Sequence, residues 1–514
     1  MKTATLSRRG LLLGMAASLT LPLIARPGRV QAQAQQALDD AEALIAQAGL
    51  AAEVGFVAQD ALTGEVLAIR NGDMPLPPAS TLKLITALYA LDRLGPVHRF
   101  TTRVWRDGDT LVLAGGGDPE LDSKGLAELA RLTVAAEQAA GRGAPLRFQV
   151  WGGALPHIPR ISAVQAEHLP YNPTISGMIL NFNRVHLGWR RTDKGHSLSL
   201  EARGAGQSPR AYTIGIGVAD RSQPCSPGDD SGAREQWTIA RGAMGKSGSR
   251  WLPVRRPELY AGDVFQTLCR AQGLVLPTPE VTGAPPQGQV IASLESRALS
   301  DILQGMLEYS NNLTAEVVGL SASGQPELRA SARDMQNWLQ AKGITGNYSF
   351  ADHSGLSADS RVTARLLADT VTRLGAQQPL RAMLKHIALR DGKGREIDSP
   401  IRVDAKTGTL NFVSNLAGFA QDGGGRLLSF AILTVDEPRR SASLGQELPD
   451  GVLVWTRRSK ALQQALIEDW TARFGARIAQ LPDLPLPAGG QDLGFSDATR
   501  PVIRPATMNS GVFR

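Results

Sequence analysis

The sequence predicts an α+β protein in which helices pack on an antiparallel sheet and a β-rich segment interrupts the main domain. Apolar residues recur at helical spacing in two distant parts of the chain, over 80–94 and over 299–320. Short β-like runs follow between residues 403 and 435. Alternating runs broken by Gly and Pro occupy 99–254, between the two helical parts. This order of elements indicates a discontinuous domain with an insertion.

Length and composition are compatible with about three domains. The chain has 514 residues, of which 42% are hydrophobic, and this is ample for a large core. We expect an export signal at 1–34, a main domain formed by 35–98 and 255–480, and one or two β-rich modules at 99–254. A Pro/Gly-rich flexible tail is expected at 481–514.

The amino-terminal residues are typical of an export signal. Arg8 and Arg9 form a twin-arginine pattern ahead of an apolar run at 11–24, and small-residue cleavage candidates follow at 30–32 and 32–34. The apolar run has 14 residues, whereas a bilayer core about 30 Å thick takes about 20. A short membrane anchor and the general export route are the alternatives. We expect cleavage of the signal and release of the chain into the periplasm.

Charge and metal-ligand spacing exclude several classes of function. The formal net charge is +7, and 1–34 carry five Lys and Arg with no acid, so the mature chain is near neutral at +2. This gives no support to a nucleic-acid partner. The seven histidines are scattered and the cysteines form no cluster, so no metal and no other cofactor is expected. Cys225 and Cys269 could pair in an oxidising compartment or stay unpaired, and the sequence leaves both open.

The first motif that carries chemistry pairs a serine with a lysine. Ser80 and Lys83 lie in the first turn of the predicted helix 80–94, so their side chains share a face. A lysine amine that burial keeps neutral can take the proton of a serine hydroxyl, and the positive end of a helix favours negative charge there. Taken alone, the pair is also compatible with a helix-capping serine beside a solvated lysine.

Two further motifs lie downstream. Ser310 and Asn312 fall between two predicted helices, where the hydroxyl could relay a proton and the amide could hold a carbonyl. An ordinary N-cap turn is the alternative. Lys406 and Thr407 lie on a predicted strand and suit a terminal carboxylate, while Gly408 leaves room for a substrate to pair as an added strand. A plain strand with an exposed lysine is the alternative here.

Together the motifs resemble those of the penicillin-recognising serine enzymes, in which the same three patterns occur in this order. Further strings are similar to the class C low-molecular-weight penicillin-binding proteins, the D-alanyl-D-alanine carboxypeptidase/D-alanyl-D-alanine-endopeptidase family, and they extend from about residue 50 to 440. These strings occupy 78–83, 113–119, 171–173, 181–183, 310–313, 354–357 and 406–409. The 230 residues between the first two motifs also favour this family over the compact β-lactamases.

The resemblance implies a penicillin-recognising, transpeptidase-like (β-lactamase-like) fold and a serine DD-peptidase. Its implied substrates are the D-alanyl-D-alanine ends and the D-centred cross-links of peptidoglycan stem peptides, and β-lactam antibiotics are its implied covalent inhibitors. Ser80 is implied as the nucleophile that becomes acylated. Lys83 is implied as its base and Ser310 as a proton relay.

The resemblance also implies the residues that bind the substrate. Asn312 would hold a substrate carbonyl, and Lys406 with Thr407 would bind the terminal carboxylate. Gly408 would lie beside the extended substrate. The backbone N–H groups of Ser80 and Thr409 would form the oxyanion hole.

The chain departs from the family at two places that concern the far end of the stem peptide. The family often has an acidic residue between the glycine-rich string and Tyr171, whereas 152–157 carry none. It often has a basic residue directly after Ser357, whereas this chain continues with Ala358 and Asp359. His353 stands where the family often has a small residue, and we expect it to be a surface or packing histidine.

Two alternative functions share parts of this pattern. A β-lactamase or esterase-type serine hydrolase would use the same three motifs and differ in how fast water clears the acyl-enzyme. A non-catalytic peptidoglycan-binding protein would keep the fold, but degenerate sites usually lose one of the reactive groups. The sequence leaves open a loose association with the membrane surface and does not determine the oligomeric state.

Overall fold

A computed structural model describes residues 27–228 and 234–475, with side chains from residue 35. The helices of this part are α1 (Pro27–Ala48), α2 (Leu82–Leu94), α3 (Ser123–Ala139), α4 (Pro257–Arg270), α5 (Leu299–Tyr309), α6 (Asn312–Ser323), α7 (Leu328–Ala341), α8 (Ala364–Arg373), α9 (Leu380–Met383), α10 (Glu437–Ala442) and α11 (Val452–Gly475). The predicted tail at 481–514 lies outside the described residues. So does most of the predicted export signal, whose residues 27–34 form the backbone of the first turns of α1.

The strands of the described residues form four sheets. They are β1 (Glu53–Asp60), β2 (Val66–Arg70), β3 (Thr101–Asp107), β4 (Thr110–Ala114), β5 (Arg147–Trp151), β6 (Arg184–Thr192), β7 (Gly195–Glu201), β8 (Ile214–Ala219), β9 (Cys225–Pro227), β10 (Glu235–Ala240), β11 (Ser247–Pro253), β12 (Pro279–Thr282), β13 (Gln289–Glu295), β14 (Lys385–His386), β15 (Arg402–Leu410), β16 (Val413–Gln421) and β17 (Leu427–Val435). The largest sheet has the order β14-β15-β16-β17-β1-β2, and its neighbouring strands are antiparallel. The predicted α+β class is therefore confirmed.

Helices cover both faces of the six-stranded sheet. Side chains alternate along β1, so Val57 joins one core while Phe56 and Ala58 join the other. The first core contains side chains from α2, α5, α7 and α8. The second core lies under α1 and α11, where Trp470 packs its ring 5.3 Å from that of Phe56. Because both faces are buried, the central strands read as nearly continuous apolar runs.

The predicted β-rich segment forms its own core. Strands β3, β4 and β5 are the central strands of a five-stranded sheet with the order β12-β5-β4-β3-β13. Two further sheets of three strands each have the orders β11-β6-β7 and β8-β10-β9. β12 and β13 lie beyond residue 254 but pair with β5 and β3, and α4 buries Tyr260 and Phe265 in the same core. We therefore propose that the insertion runs to about residue 295. The sequence did not predict this boundary, because pairing of distant strands carries no local sequence signal.

Cys225 and Cys269 are both buried and unpaired in the structure. They lie in the core of the insertion, on β9 and on α4. Burial raises the pKa of the Cys269 thiol to about 12, so this group is unreactive at neutral pH. Both cysteines therefore behave as small apolar core residues.

Candidate active site

Ser80 lies in a short 3-10 turn, Ala79–Thr81, that runs directly into α2. Ala79 has a φ of 43°, in the left-handed region, so the chain bends sharply just before the serine. Asn415 on β16 holds this turn, because its Nδ2 donates to the backbone oxygens of Pro77 at 2.8 Å and Pro78 at 2.9 Å. The six-stranded sheet thereby positions the serine hydroxyl.

The amine of Lys83 is the centre of the polar cluster. Its Nζ lies 2.9 Å from the Oγ of Ser80. The same nitrogen lies 2.7 Å from the Oδ1 of Asn312 and 2.8 Å from the backbone oxygen of Ser354. A neutral amine has two N–H groups and one lone pair. It can therefore donate to Asn312 and Ser354 while it accepts the proton of the Ser80 hydroxyl.

Burial sets the protonation of Lys83. Its side chain has no exposed surface, and burial lowers its pKa to about 7, although the carboxyl groups of Glu316 and Asp352 oppose the shift. Burial, followed by the nearby charge of Asp352, raises the pKa of Glu316 to about 8. A base with a pKa near 7 is suited to proton abstraction at neutral pH.

Ser310 and Lys406 form the second polar contact of the cluster. Ser310 ends α5 in the left-handed conformation, with a φ of 58°. The Nζ of Lys406 donates to the Oγ of Ser310 at 2.9 Å and to the backbone oxygen of Thr407 at 2.7 Å. Burial and the positive charge of Lys83 hold the pKa of Lys406 well below its ordinary value. Each lysine of the cluster therefore contacts one of its two serines.

Asn312 begins α6 and links the main domain to the insertion. Asn311 caps this helix, since its side chain accepts from the backbone N–H of Thr314 at 3.0 Å. The Oδ1 of Asn312 accepts from Lys83, and its Nδ2 donates to the backbone oxygen of Tyr171 at 3.0 Å. The predicted loop between two helices is therefore present, and its two polar side chains face the same cluster.

The strand β15 passes the serine at close range. A Cβ atom on Gly408 would lie 2.9 Å from the backbone oxygen of Pro78 and 3.1 Å from the backbone nitrogen of Ser80. Any side chain there would push the strand away from the serine. β14 pairs only with residues 404 and 405 of β15, so among the described strands 406–410 have a partner on the β16 side alone. Thr407 is half-buried and Thr409 is exposed along this open edge.

The loop at 352–357 contacts Lys83 through the backbone oxygen of Ser354. The buried carboxyl groups of Glu316 and Asp352 hold this loop in place. The two carboxyl oxygens of Glu316 accept the backbone N–H groups of His353 and Ser354, each at 2.9 Å. Asp352 accepts from the Oγ of Ser360 at 2.7 Å and from the backbone N–H of Ser357 at 2.8 Å. These contacts fix the carbonyl group of Ser354 that meets Lys83.

His353 packs inside the protein. It has no exposed surface, its Nε2 lies 2.7 Å from the Oγ of Ser331, and its ring stacks on Tyr89 with 6.4 Å between the centroids. Burial lowers its pKa to about 3, so the imidazole is neutral. The imidazole ring fits because Gly319 has no side chain, since a Cβ atom there would lie 2.2 Å from the ring. Of the two predicted positions, on the surface or in the packing, His353 has the second.

Three buried side chains that organise the cluster were missed by the sequence reasoning. Glu316 follows Asn312 by four residues, on the same face of an otherwise apolar α6. Asp352 lies two residues before Ser354, and Asn415 interrupts the largely apolar strand β16. For Glu316 and Asn415, a polar residue within a largely apolar stretch is the local signal that each of them offered. Asp352 is followed by polar residues and offered no such signal.

Asparagines in the insertion fasten the segment that carries Tyr171. Asn172 donates to the backbone oxygen of Ser162 at 2.8 Å and accepts its N–H at 2.9 Å, as a neighbouring strand would. Asn183 donates to the backbone oxygen of Thr174 at 3.0 Å. The strings that contain Asn172 and Asn183 therefore fix the segment whose Tyr171 carbonyl group accepts from Asn312.

We expect Gly355→Ala to lower both the stability of the protein and its rate of acylation, because the added methyl group would overlap with the backbone of Ala79. Gly355 has a φ of 77°, and an added Cβ would lie 1.8 Å from the backbone oxygen of Ala79. The left-handed conformation costs an alanine about 1–2 kcal/mol, and the overlap adds about 1–3 kcal/mol. Urea unfolding and the rate of β-lactam acylation measure the two effects.

Gly394→Ala is the matched control for this variant. Gly394 has a φ of 79°, and its Cβ would meet nothing within 4 Å. Only the conformational cost is expected there, with acylation unchanged. If both variants lose the same stability and acylate normally, the contact between Gly355 and Ala79 does not position the serine.

The described residues contain no group of three or more His, Cys, Asp or Glu that could hold a metal ion. Within 27–228 and 234–475, each helix is too short or too polar to span a bilayer.

Comparisons with known proteins identify the family of this chain. The family described as D-Ala-D-Ala carboxypeptidase 3 (S13) family matches residues 35–458. A carboxypeptidase of Mycobacterium tuberculosis is 28% identical over 401 residues, which are 73% of this chain and 74% of the relative. A D-alanyl-D-alanine carboxypeptidase of Actinomadura sp. is 27% identical over 470 residues, or 81% of this chain and 86% of the relative.

The fold is similar to that of a solved structure. The crystal structure of penicillin binding protein 4 from Haemophilus influenzae matches with a TM-score of 0.64 and 19% identity, covering 82% of this chain and 99% of that one. At this identity the similarity concerns the fold alone. It confirms the predicted penicillin-recognising architecture.

Proposed function

Because this chain belongs to the D-Ala-D-Ala carboxypeptidase 3 (S13) family, we propose that it hydrolyses the D-alanyl-D-alanine bond of peptidoglycan stem peptides with Ser80 as the nucleophile. The observation that carries the proposal is the buried amine of Lys83, 2.9 Å from the Oγ of Ser80 and with a pKa of about 7. A serine beside a neutral amine is an activated nucleophile, and no histidine is needed.

Acylation begins when Lys83 takes the hydroxyl proton of Ser80 and the Oγ attacks the substrate carbonyl carbon. The negative oxygen that forms is stabilised by the backbone N–H groups of Ser80 and Thr409. As the C–N bond breaks, the Ser310 hydroxyl passes a proton to the leaving amine and receives one from protonated Lys83. The products of this step are an ester on Ser80 and free D-alanine.

Deacylation reverses the roles of these groups. Water gives a proton to the neutral amine of Lys83 and attacks the ester carbonyl carbon. The Oγ of Ser80 leaves and recovers the proton, so the enzyme returns to its starting state. Asn312 keeps the amine oriented throughout, since its Oδ1 lies 2.7 Å from the Nζ of Lys83.

The open edge of β15 is the proposed substrate-binding surface. An extended peptide can add to an unpaired strand edge through main-chain hydrogen bonds, and Gly408 lets that edge run beside Ser80. Lys406 and the hydroxyl of Thr407 then face the terminal carboxylate of the substrate. The ring and lactam of a β-lactam antibiotic present a similar carbonyl and carboxylate, so these drugs are proposed as covalent inhibitors.

The same site is proposed to cut D-centred cross-links as an endopeptidase, because a cross-link presents the same peptide bond with a longer leaving amine. We propose that the chain acts in the periplasm after removal of residues 1–34. The twin-arginine pattern at Arg8 and Arg9 supports this route.

We expect the acylation rate to rise with pH and level off above about pH 7. The pKa of Lys83 is lowered to about 7, and only the neutral amine accepts the serine proton. The neutral fraction falls tenfold per pH unit below the pKa, so the rate at pH 5 should be about 100-fold below the plateau. Stopped-flow acylation by a chromogenic β-lactam between pH 5 and 9 measures the profile. A flat profile, with the fold unchanged by circular dichroism, would exclude Lys83 as the titrating base.

The experiment that tests the function is the intact mass of the purified protein after incubation with benzylpenicillin, followed by a peptide map. A lasting adduct on Ser80 is expected, together with release of D-alanine from a stem pentapeptide. Consumption of the drug without an adduct would instead indicate a β-lactamase. An unmodified protein with untouched drug would indicate a binding protein.

A further inference from the structure

The positive charge of the chain is concentrated in one module of the insertion. Residues 184–256 contain 13 Lys and Arg against six Asp and Glu, whereas the mature chain as a whole has a formal charge of only +2. The rest of the mature chain therefore has a negative formal net charge. The module contains the three-stranded sheet β11-β6-β7, which ends in the hairpin turn between β6 and β7.

The end of this sheet forms a basic tip, defined by Arg190, Arg191, Lys194 and Lys246. Arg191 lies directly opposite His196 of β7, and its backbone N–H donates to the backbone oxygen of Lys246 at 2.7 Å. The positions of these residues, near the end of β6, in the turn to β7 and directly before β11, bring the four cations to one end of the sheet.

The cations of the basic tip have no carboxylate partners among the described residues. Other arginines of the module do have them: Arg203 pairs with Glu201, Arg241 with Asp220, and Arg250 with Glu447. All four side chains of the basic tip are exposed to solvent. Their charge is therefore available to an anionic partner outside the chain.

We propose that the basic tip is a docking surface for an anionic phospholipid bilayer. Its four exposed cations lie at one hairpin end of the sheet. A cluster of about four or more Lys and Arg at a surface is typical of electrostatic binding to anionic lipid headgroups. Lys and Arg near such a surface each strengthen binding about fivefold. Docking would hold the enzyme at the membrane face of the cell wall, independently of its chemistry.

The test is co-sedimentation of the purified exported protein with vesicles. Binding is expected to vesicles of phosphatidylglycerol and phosphatidylcholine in equal parts, with none to pure phosphatidylcholine. It should weaken as salt is raised to about 0.5 M, because the salt screens surface charge. The variant Arg190→Gln/Arg191→Gln/Lys194→Gln/Lys246→Gln should bind about 600-fold more weakly or not at all.

The matched control removes four exposed arginines that have carboxylate partners. Arg131, Arg147, Arg390 and Arg395 pair with Glu128, Glu280, Glu396 and Asp391. Their fourfold change to Gln lowers the net charge equally and should leave vesicle binding within about twofold. Both variants should be acylated by benzylpenicillin at the parent rate, which verifies the fold.

Three outcomes would overturn the proposal. The basic-tip variant binds as tightly as the parent, the control variant loses as much binding as the basic-tip variant, or the parent binds soluble heparin but not the anionic vesicles. The last result would assign the tip to a soluble polyanion. None of these outcomes depends on whether Ser80 is the nucleophile.

Discussion

Ser80→Ala is expected to abolish covalent labelling by benzylpenicillin and to remove peptidase activity. The substitution deletes the only atom of this residue that can form the acyl bond, the Oγ that lies 2.9 Å from the Nζ of Lys83. Loss of the nucleophile in a serine peptidase lowers turnover on the order of 10⁶-fold. Intact mass after drug treatment and release of D-alanine from a stem pentapeptide measure the two losses.

The fold should survive this substitution. Ser80 is only half-buried, and Lys83 keeps its contacts with Asn312 and the backbone of Ser354. Ser249→Ala, at an exposed position of β11, is the control and should be labelled like the parent. A full adduct on the Ser80→Ala protein would assign the nucleophile to another residue, which the peptide map would identify.

Lys83→Met is expected to lower the acylation rate by about 10²–10⁴-fold, the usual contribution of a general base. Methionine is unbranched and of similar length, so it fills the buried space without the amine. The Ser80 hydroxyl then has no neighbouring base, because Lys406 bonds to Ser310 and the backbone of Thr407. The rate of adduct formation by stopped-flow or quenched mass spectrometry measures the effect.

The pH profile separates loss of the base from loss of structure. The residual acylation of Lys83→Met should no longer rise through pH 7, because the group that titrates there is absent. Lys124→Met, at an exposed position of α3, is the control and should keep both rate and profile. If Lys83→Met retains the parent rate and profile, another group takes the serine proton.

The local geometry of the motifs was predictable from the sequence. Ser80 and Lys83 are three residues apart, and helical periodicity places such residues on one face. The loop between α5 and α6 and the strand that contains Lys406 were also predicted, because apolar spacing changes period at these points. The 3-10 turn at Ser80 was predicted as the first turn of an α-helix, a difference that depends on contacts with Asn415 rather than on local preference.

The sequence by itself determined the reactive groups and the type of element that carries each of them. The tertiary structure alone decided how these groups meet. Lys83 bonds to Ser354, which lies 271 positions away, and the turn at Pro77 bonds to Asn415, which lies 338 positions away. Such contacts result from the packing of whole layers and leave no periodic pattern in either segment. Burial in that packing also lowers the pKa of Lys83 to about 7, a property that the same lysine would lack in a solvated helix.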